Sequence, residues 1–127
     1  MSSLSALRAH VREIFLAGLK SADPRVALRQ LVQLRDNRLG IGERSYLLNQ
    51  LGDVYVLGCG KAAARMARAL EELLGGRITG GVVVVKYGHG LPLEKIEVVE
   101  AGHPVPDSAG VEGARQVMEI AARAGAA

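Results

Sequence analysis

Residues 54–74 restrict the possible folds of this chain more than any other segment. The apolar and aromatic residues 54–57 are typical of a buried strand, and they lead directly into Gly58-Cys59-Gly60. Residues from about 61 to 74 then have the apolar spacing of an amphipathic helix, which ends at Gly75-Gly76. A strand, a glycine turn and a helix in this order form the first half of a βαβ unit, so we expect an α/β fold.

Two further apolar segments supply the remaining strands of a mostly parallel sheet flanked by helices. Residues 82–86 form a continuous apolar run that ends in a lysine, as in strands covered on both faces. Residues 96–100 predict a third strand, and after the loop at 102–108 an amphipathic helix runs to about Arg123. Only about nine residues join the second and third strands, and parallel crossovers usually need a dozen or more. We predict parallel pairing, with an antiparallel hairpin as the alternative.

The region before this core predicts two helices and a hairpin. Residues 4–19 have the spacing of an amphipathic helix that buries one apolar stripe. Asp23 and Pro24 suit the N-cap and the first position of a second helix. Residues 37–50 alternate around a Gly-Glu pair, which predicts a small hairpin.

These predictions divide the chain into three segments: a helical lead-in (1–36), a small hairpin (37–50) and a βαββα core (53–127). Three strands are few for a parallel sheet, which usually has about five or more. We therefore expect a partial sheet, the N-terminal segment of a larger domain, with the continuation and any C-terminal domain absent from this chain.

Composition excludes several classes of function. The net charge of +3 comes from 16 basic and 13 acidic residues without a basic cluster, so no nucleic-acid partner is expected. No apolar run approaches the roughly 18–20 residues that span a bilayer, so no membrane partner is expected either. The first residues lack the pattern of a signal peptide, and the single Cys59 cannot form an internal disulfide. We expect a soluble protein of the reducing cytoplasm.

The glycine turn also suits an anion. Gly58 and Gly60 let a ligand approach the backbone, and free N–H groups at a helix start attract negative charge. Lys61, predicted in the first helical turn, faces the positive end of the helix dipole at a cost of roughly 0.3–1 kcal/mol. A bound phosphate or carboxylate would turn this repulsion into an anion clamp. The alternatives are a plain tight turn and a lysine that extends into water.

Two known glycine-loop motifs fit less well. A P-loop requires a glycine where Tyr55 stands and a hydroxyl residue where Ala62 stands, so that motif is excluded. A dinucleotide site requires G-x-G-x-x-G/A, which Gly58, Gly60 and Ala63 match, and an acidic residue near the end of the second strand. That strand ends in Lys86, which disfavours NAD but leaves NADP as an alternative.

The loops after the second and third strands contain further candidate binding residues. Lys86 and His89 lie in the first, and His103 and Asp107 lie in the second. Parallel strands would bring all three loops to one edge of the sheet, where ligands bind in open α/β folds. Asp107 equally suits the N-cap of the last helix, and both histidines equally suit ordinary loop positions.

Taken together, GCGKAAARMA, KYGH and AGHPVPDSAG resemble the N-terminal portion of the glycerate 2-kinase family, the MOFRL-containing glycerate kinases, some of which are also labelled hydroxypyruvate reductases. The resemblance implies transfer of the γ-phosphoryl group of ATP to the 2-hydroxyl of D-glycerate, with Mg²⁺. It implies a large Rossmann-like domain and a smaller C-terminal domain, with the active site between them.

The resemblance also assigns roles to residues. It makes Lys61 the catalytic lysine, and it assigns no metal ligand to this chain. The residues that it places in substrate- or phosphate-binding loops are Gly58, Gly60, Lys61, Lys86, His89, His103 and Asp107.

Three hypotheses about function follow. The first is a glycerate 2-kinase of which this chain is the N-terminal part, inactive by itself. The second is an NADP-dependent hydroxypyruvate reductase, suggested by GxGxxA and Lys86. The third is a non-catalytic binding or dimerisation module, in which the first helix offers its apolar face to a partner, with a homodimer as one form.

Overall fold

The computed structural model describes residues 3–125, and within them it confirms the mixed α/β class. Four α-helices and two short 3-10 helices (Leu48–Gln50 and Gly75–Arg77) accompany two three-stranded sheets, one antiparallel and one parallel. The elements in chain order are α1 (Leu4–Ser21), α2 (Pro24–Leu31), β1 (Val32–Arg35), β2 (Arg38–Ile41), β3 (Arg44–Leu47), β4 (Tyr55–Cys59), α3 (Ala63–Leu74), β5 (Gly80–Lys86), β6 (Ile96–Ala101) and α4 (Ser108–Ala124).

The second sheet has the order β4-β5-β6, and both pairings are parallel. The predicted parallel pairing of the second and third strands is therefore confirmed, although their connection is short and contains no helix. The carboxylate of Glu71 on α3 accepts hydrogen bonds from the backbone N–H groups of Glu94, Lys95 and Ile96, at 3.0, 2.7 and 2.9 Å. This contact anchors the connection to α3 just before β6 begins.

Helices cover both faces of this sheet. Successive side chains of a strand point to opposite faces. Val83 packs in the core formed with the buried alanines of α3. Val84 lies on the other face against α4, where a Cβ placed on Gly113 would come within 2.7 Å of Val84 Cγ2. β5 is thus covered on both sides, as its continuous apolar run predicted.

The lead-in is not wholly helical, so the predicted extent of the second helix is wrong. Asp23 caps α2 and Pro24 begins it, as predicted, but the helix ends at Leu31. Residues 32–35 instead form β1, which pairs with β2. Val32 is buried and Leu34 is partly buried, an alternation of period two that pairing with β2 selects over continued helix. The predicted hairpin is confirmed as β2 and β3, with Gly42 at φ +58 between them.

α1 has the predicted extent, but its predicted buried stripe is wrong. None of its residues is buried, and its apolar side chains are 50–73% exposed. Its packing contacts within residues 3–125 are mainly with α2. Periodicity specifies an apolar face but not a neighbour that covers it. These exposed side chains, called here the α1 apolar face, are Leu4, Leu7, Val11, Ile14, Phe15, Leu16 and Leu19.

Two smaller predictions near the glycine turn also need correction. β4 is an edge strand rather than a fully buried one, and Leu57 is 38% exposed. α3 begins at Ala63 with Ala62 as its N-cap, so Lys61 precedes the helix instead of lying in its first turn. The tight turn at Gly60 uses the two residues that the apolar pattern assigned to the helix. In residues 3–125, no helix is both long enough and apolar enough to cross a bilayer.

Candidate active site

Three loops meet at the carboxyl-terminal edge of the parallel sheet, as the sequence predicted. The glycine turn overlaps the end of β4, Lys86 ends β5, and Gly102 and His103 follow β6. Two cavities open among these loops, with volumes of about 580 and 270 Å³. Cys59, Gly60, Lys61 and His103 line both cavities.

The two cavities differ in their remaining walls. The larger one extends from the glycine turn, including Gly58, along apolar side chains of α2, β4 and α3. The smaller one lies between the ends of β5 and β6 and is lined by Lys86, Ala101 and Gly102. An anion at the shared residues would therefore lie between an apolar surface and a cationic one.

Gly58 and Gly60 are each required in the turn for a different structural reason. A Cβ on Gly58 would lie 3.3 Å from Val83 Cγ1 and 3.6 Å from Ala63 Cβ, so its absence lets α3 pack closely on β5. Gly60 has φ +109, a backbone conformation that other residues rarely adopt. Its N–H donates to the carbonyl oxygen of Val84 at 2.9 Å, which ties the turn to the end of β5.

The N-terminus of α3 has no capping side chain. Side chains of Ser3, Asp23 and Asp107 accept hydrogen bonds from the first turns of α1, α2 and α4. The corresponding residue of α3 is Ala62, and the first turn of α3 contains no acidic residue. The N–H groups of a first turn have no acceptor within their own helix. In α3 the N–H of Ala63 donates to the carbonyl oxygen of Gly60 at 3.0 Å, and no side chain caps the turn. This helix start is therefore electropositive, and it adjoins Lys61.

The charged side chains that line the two cavities are lysines and therefore positive. Lys61 is exposed, Lys86 is half-buried and His103 is exposed. No acidic residue of the described chain lines either cavity. Two lysines, the uncapped start of α3 and an imidazole can together bind a phosphate or a carboxylate.

Asp107 lies outside both linings and has structural partners. Its Oδ1 accepts from the N–H of Gly110 at 2.9 Å, and its Oδ2 accepts from the hydroxyl of Tyr87 at 2.8 Å. The backbone N–H of Gly102, followed by those two donors, holds the pKa of Asp107 below its ordinary value. The same hydrogen bond raises the pKa of Tyr87. The structure thus shows Asp107 as the N-cap of α4, the alternative that the sequence left open.

His89 also lies outside both linings. Its N–H donates to the carbonyl oxygen of Lys86 at 2.9 Å in a tight turn, and its side chain is exposed. Sequence reasoning missed the residues that hold this turn, Tyr87 and Glu100. One signal was available for Glu100, since it is an acidic residue at the end of a predicted strand.

The linings do not provide a site for Mg²⁺, which prefers carboxylate and other oxygen ligands. Among residues 3–125, no group of three or more His, Cys, Asp or Glu side chains is placed to hold a metal ion. The donors at the cavities are amines, an imidazole and backbone N–H groups, which suit anions.

Comparisons with known proteins place this fold and these motifs in one family. The solved structure of the PH0495 protein from Pyrococcus horikoshii matches with a TM-score of 0.78 at 39% identity, over 89% of this chain and 26% of that one. A glycerate 2-kinase of Pyrococcus horikoshii is 40% identical over 118 residues, which are 90% of this chain and 26% of the relative. A relative from Agrobacterium vitis, provisionally named a hydroxypyruvate reductase, is 35% identical over 84% of this chain and 21% of its own length.

The chain thus spans about a fifth to a quarter of the length of these curated relatives. The family described as Domain of unknown function (DUF4147) matches residues 10–127, nearly the whole sequence. The glycine turn, the KYGH loop and the HPVPD loop all lie within this match. The predicted resemblance is confirmed: the chain belongs to the DUF4147 family, and it corresponds to the N-terminal portion of glycerate kinases.

Proposed function

We propose that the protein carrying this chain is a glycerate 2-kinase, which transfers the γ-phosphoryl group of ATP to the 2-hydroxyl of D-glycerate. This chain would form the N-terminal part of its large, Rossmann-like domain, and a separate C-terminal domain would complete the active site. The names of the relatives support the activity, and the motif loops at one sheet edge support the location of the site.

The observation that carries this proposal is the position of Lys61. It lies immediately before the uncapped start of α3, and it lines the same small cavity as Lys86 and His103. The two lysine ammonium groups and the positive end of the α3 dipole repel one another, and a bound anion would offset this repulsion. ATP and glycerate both supply anionic groups.

The arrangement suits phosphoryl transfer, which depends mostly on positioning and on stabilisation of charge. The hydroxyl oxygen of glycerate forms a bond to the γ-phosphorus and releases its proton, while the bond from the γ-phosphorus to the β–γ bridging oxygen breaks and ADP leaves. Lys61 and the N–H groups that follow Ala63 in the first turn of α3 would neutralise the moving phosphoryl group or the carboxylate of glycerate. Gly58 and Gly60 would allow these ligands to approach the backbone, and Lys86, His103, His89 and Asp107 would complete the binding loops. Mg²⁺ would be the ion that accompanies ATP.

Replacement of Lys61 tests the proposal in the full-length protein. We expect Lys61→Ala to lower kcat for D-glycerate by roughly 10²–10³-fold, as for loss of other charge-stabilising groups. Its circular dichroism spectrum and unfolding midpoint should match those of the wild type, because Lys61 is exposed. Lys20→Ala, an exposed lysine at the end of α1, is the matched control. Near-normal turnover of Lys61→Ala would contradict the assignment.

A reductase is the second candidate, favoured by the match of Gly58, Gly60 and Ala63 to the dinucleotide fingerprint. In the structure β5 ends at Lys86, so the position near which NAD enzymes carry an acid holds a cation. Titration of ATP and NADPH against the full-length protein separates the two activities. We expect ATP to bind saturably. Saturable binding of NADPH, together with oxidation of the bound NADPH by hydroxypyruvate, would support the reductase instead.

A dimerisation module is the third candidate, and the α1 apolar face favours it because contiguous exposed apolar surface often marks an interface. A homodimer would pair this face with that of a second copy. Light scattering of the chain at several concentrations, with Phe15→Asp as the variant that should abolish association, tests this. A monomer that binds inorganic phosphate would contradict a purely structural module.

We also propose a cytoplasmic location. Cys59 is the only cysteine in the sequence, and it is exposed at the candidate site. A free exposed thiol remains reduced most readily in a reducing compartment. Fractionation of cells followed by detection of the protein would test the location.

A further inference from the structure

The loop that follows β5, residues 87–90, is held by a carboxylate from the neighbouring strand. One oxygen of Glu100, Oε1, accepts hydrogen bonds from the N–H groups of both Gly88 and Gly90, each at 2.9 Å. Hydrogen bonds to an ionised acceptor are roughly twice as strong as those between neutral groups. The loop is therefore anchored at two of its four residues by a single side chain.

Both glycines of this loop are explained by the anchor. Gly88 has φ +75, which reverses the chain toward β6. A Cβ placed on Gly90 would lie 2.9 Å from Glu100 Oε1 and 3.2 Å from its Cδ, so the carboxylate occupies the space that a larger residue would need.

A second anchor joins the same loop to α4. The hydroxyl of Tyr87 donates to Asp107 Oδ2 at 2.8 Å, and the N–H of Tyr87 donates to the carbonyl oxygen of Ala101 at 3.2 Å. The loop after β5 is thus fastened to β6 and to the capping residue of α4. Ala101 and Asp107, the two residues that contact Tyr87, stand on either side of His103 in the sequence.

The residue that this loop positions is Lys86. Lys86 ends β5 and lines the small cavity, and its carbonyl oxygen accepts from His89 inside the fastened turn. A change in the turn would therefore disturb the end of β5, where Lys86 lines the same cavity as Lys61 and His103.

We infer that Glu100 is a positioning residue for the reaction, assisted by Tyr87: it fixes the loop after β5 so that Lys86 faces the anion-binding cavity. This inference rests on the proposed kinase function. Glu100 itself lines neither cavity, so it acts through the loop and not by contact with the substrates.

The first test measures the anchor without activity. Amide hydrogen exchange of the loop is followed in the wild-type protein, in Glu100→Ala and in Glu97→Ala. Glu97 is the matched control, an exposed glutamate on the same strand with no hydrogen-bonded side-chain partner within residues 3–125. We expect Glu100→Ala to speed exchange at Gly88 and Gly90 by at least about tenfold, while Glu97→Ala leaves it unchanged. Equal exchange in all three proteins would overturn the inference.

The second test measures catalysis in the full-length protein. We expect Glu100→Ala to lower kcat/KM for D-glycerate by roughly 10- to 100-fold, the cost of a misplacement of about 1 Å. Glu100→Gln keeps an oxygen acceptor and should restore most of the loss. Tyr87→Phe removes one hydroxyl and should lower kcat/KM in the same direction, so the test stands even if Glu100→Ala folds poorly.

The two ways of failing can be distinguished. If the wild type phosphorylates D-glycerate and Glu100→Ala is as active as Glu97→Ala, positioning by Glu100 is wrong and the kinase assignment stands. If the wild type does not phosphorylate D-glycerate, the kinase assignment fails, and the positioning inference fails with it.

Discussion

At the scale of single residues, close contacts account for several sequence choices that propensity alone does not explain. Gly113 lies in the interior of α4, where glycine is disfavoured by roughly 1 kcal/mol relative to alanine. It is nevertheless the one residue of α4 that is buried, because it faces Val84 and Val99 of the sheet. The absent side chain sets how closely the helix approaches the strands.

We therefore predict that Gly113→Ala destabilises the protein. The new Cβ would lie 2.7 Å from Val84 Cγ2 and 3.2 Å from Val99 Cγ1, both on stiff β-branched side chains. Overpacking of this kind costs about 1–3 kcal/mol, which exceeds the gain in helix propensity. The free energy of unfolding in urea measures the balance. Gly18→Ala is the matched control, since no atom lies within 4 Å of a Cβ there, and it should be neutral or stabilising.

A pH dependence is also expected from one residue. The hydrogen bonds that Asp107 accepts, first from the N–H of Gly102 and then from Gly110 and Tyr87, lower its pKa from the ordinary value of 3.8. The folded state thus favours the ionised form, so the contribution of Asp107 is fully present above that ordinary value and declines as the pH falls through the lowered pKa.

Urea unfolding of the wild type and of Asp107→Ala at a series of pH values tests this sign. The difference in their free energies of unfolding should be constant near neutrality and should shrink below the ordinary pKa of 3.8. Asp107→Asn, which keeps a capping oxygen without titrating, is the control. A difference that grows in acid would contradict the expected sign.

At the scale of elements, the short parallel connection depends on a contact that is remote in sequence. Glu71 on α3 accepts from three consecutive N–H groups at the start of β6. The last of these belongs to Ile96, which is buried. A helix normally supplies the length of a parallel crossover. Here α3, which precedes β5, supplies an anchoring point instead.

We predict that Glu71→Ala lowers the free energy of unfolding by roughly 1.5–3 kcal/mol, the range for hydrogen bonds to a charged group. Exchange of the amide protons of Glu94, Lys95 and Ile96 should also become faster. Glu72→Ala is the control, because Glu72 forms only ion pairs with Arg29 and Arg68 at the surface. Such pairs contribute about 0–1 kcal/mol. Equal effects of the two substitutions would contradict the anchoring role.

At the scale of the whole molecule, α1 stands apart from the core. The buried cluster draws on α2, the antiparallel sheet, α3 and the parallel sheet, and it includes no residue of α1. The chain can therefore form its core without the helix that the apolar spacing of residues 4–19 predicted.

We predict that removal of residues 1–21 leaves the rest of the fold intact. The urea midpoint should stay nearly constant, and the free energy of unfolding should change by less than about 0.5 kcal/mol, as for other surface changes. The slope of the transition should also be preserved, because little buried surface is lost. Helical circular dichroism should fall by the contribution of α1 alone. Loss of the cooperative transition would show that α1 supports the core.

Much of the fold could be predicted because its signals are local. The valine run of β5, the glycine turn before α3 and the Asp23-Pro24 start of α2 each depend on neighbouring residues. The end of α2 could not be predicted in this way. Val32 and Leu34 suit a helix as well as a strand, and pairing with β2 decided between them.

For the candidate site, too, one part could be predicted from the sequence and another part could not. The sequence of 127 residues specified by itself the strands and helices of an α/β core and its three motif loops, because periodicity and turn residues are local signals. It favoured parallel strands, but only the structure decided the strand order and excluded the antiparallel alternative. Only the tertiary structure decided which motif residues share a cavity: Lys61, Lys86 and His103 do, whereas Asp107 caps a helix and His89 lies in an exposed turn. The physical reason is that a side chain's partner depends on contacts between segments distant in sequence, such as Tyr87 with Asp107 and Gly90 with Glu100.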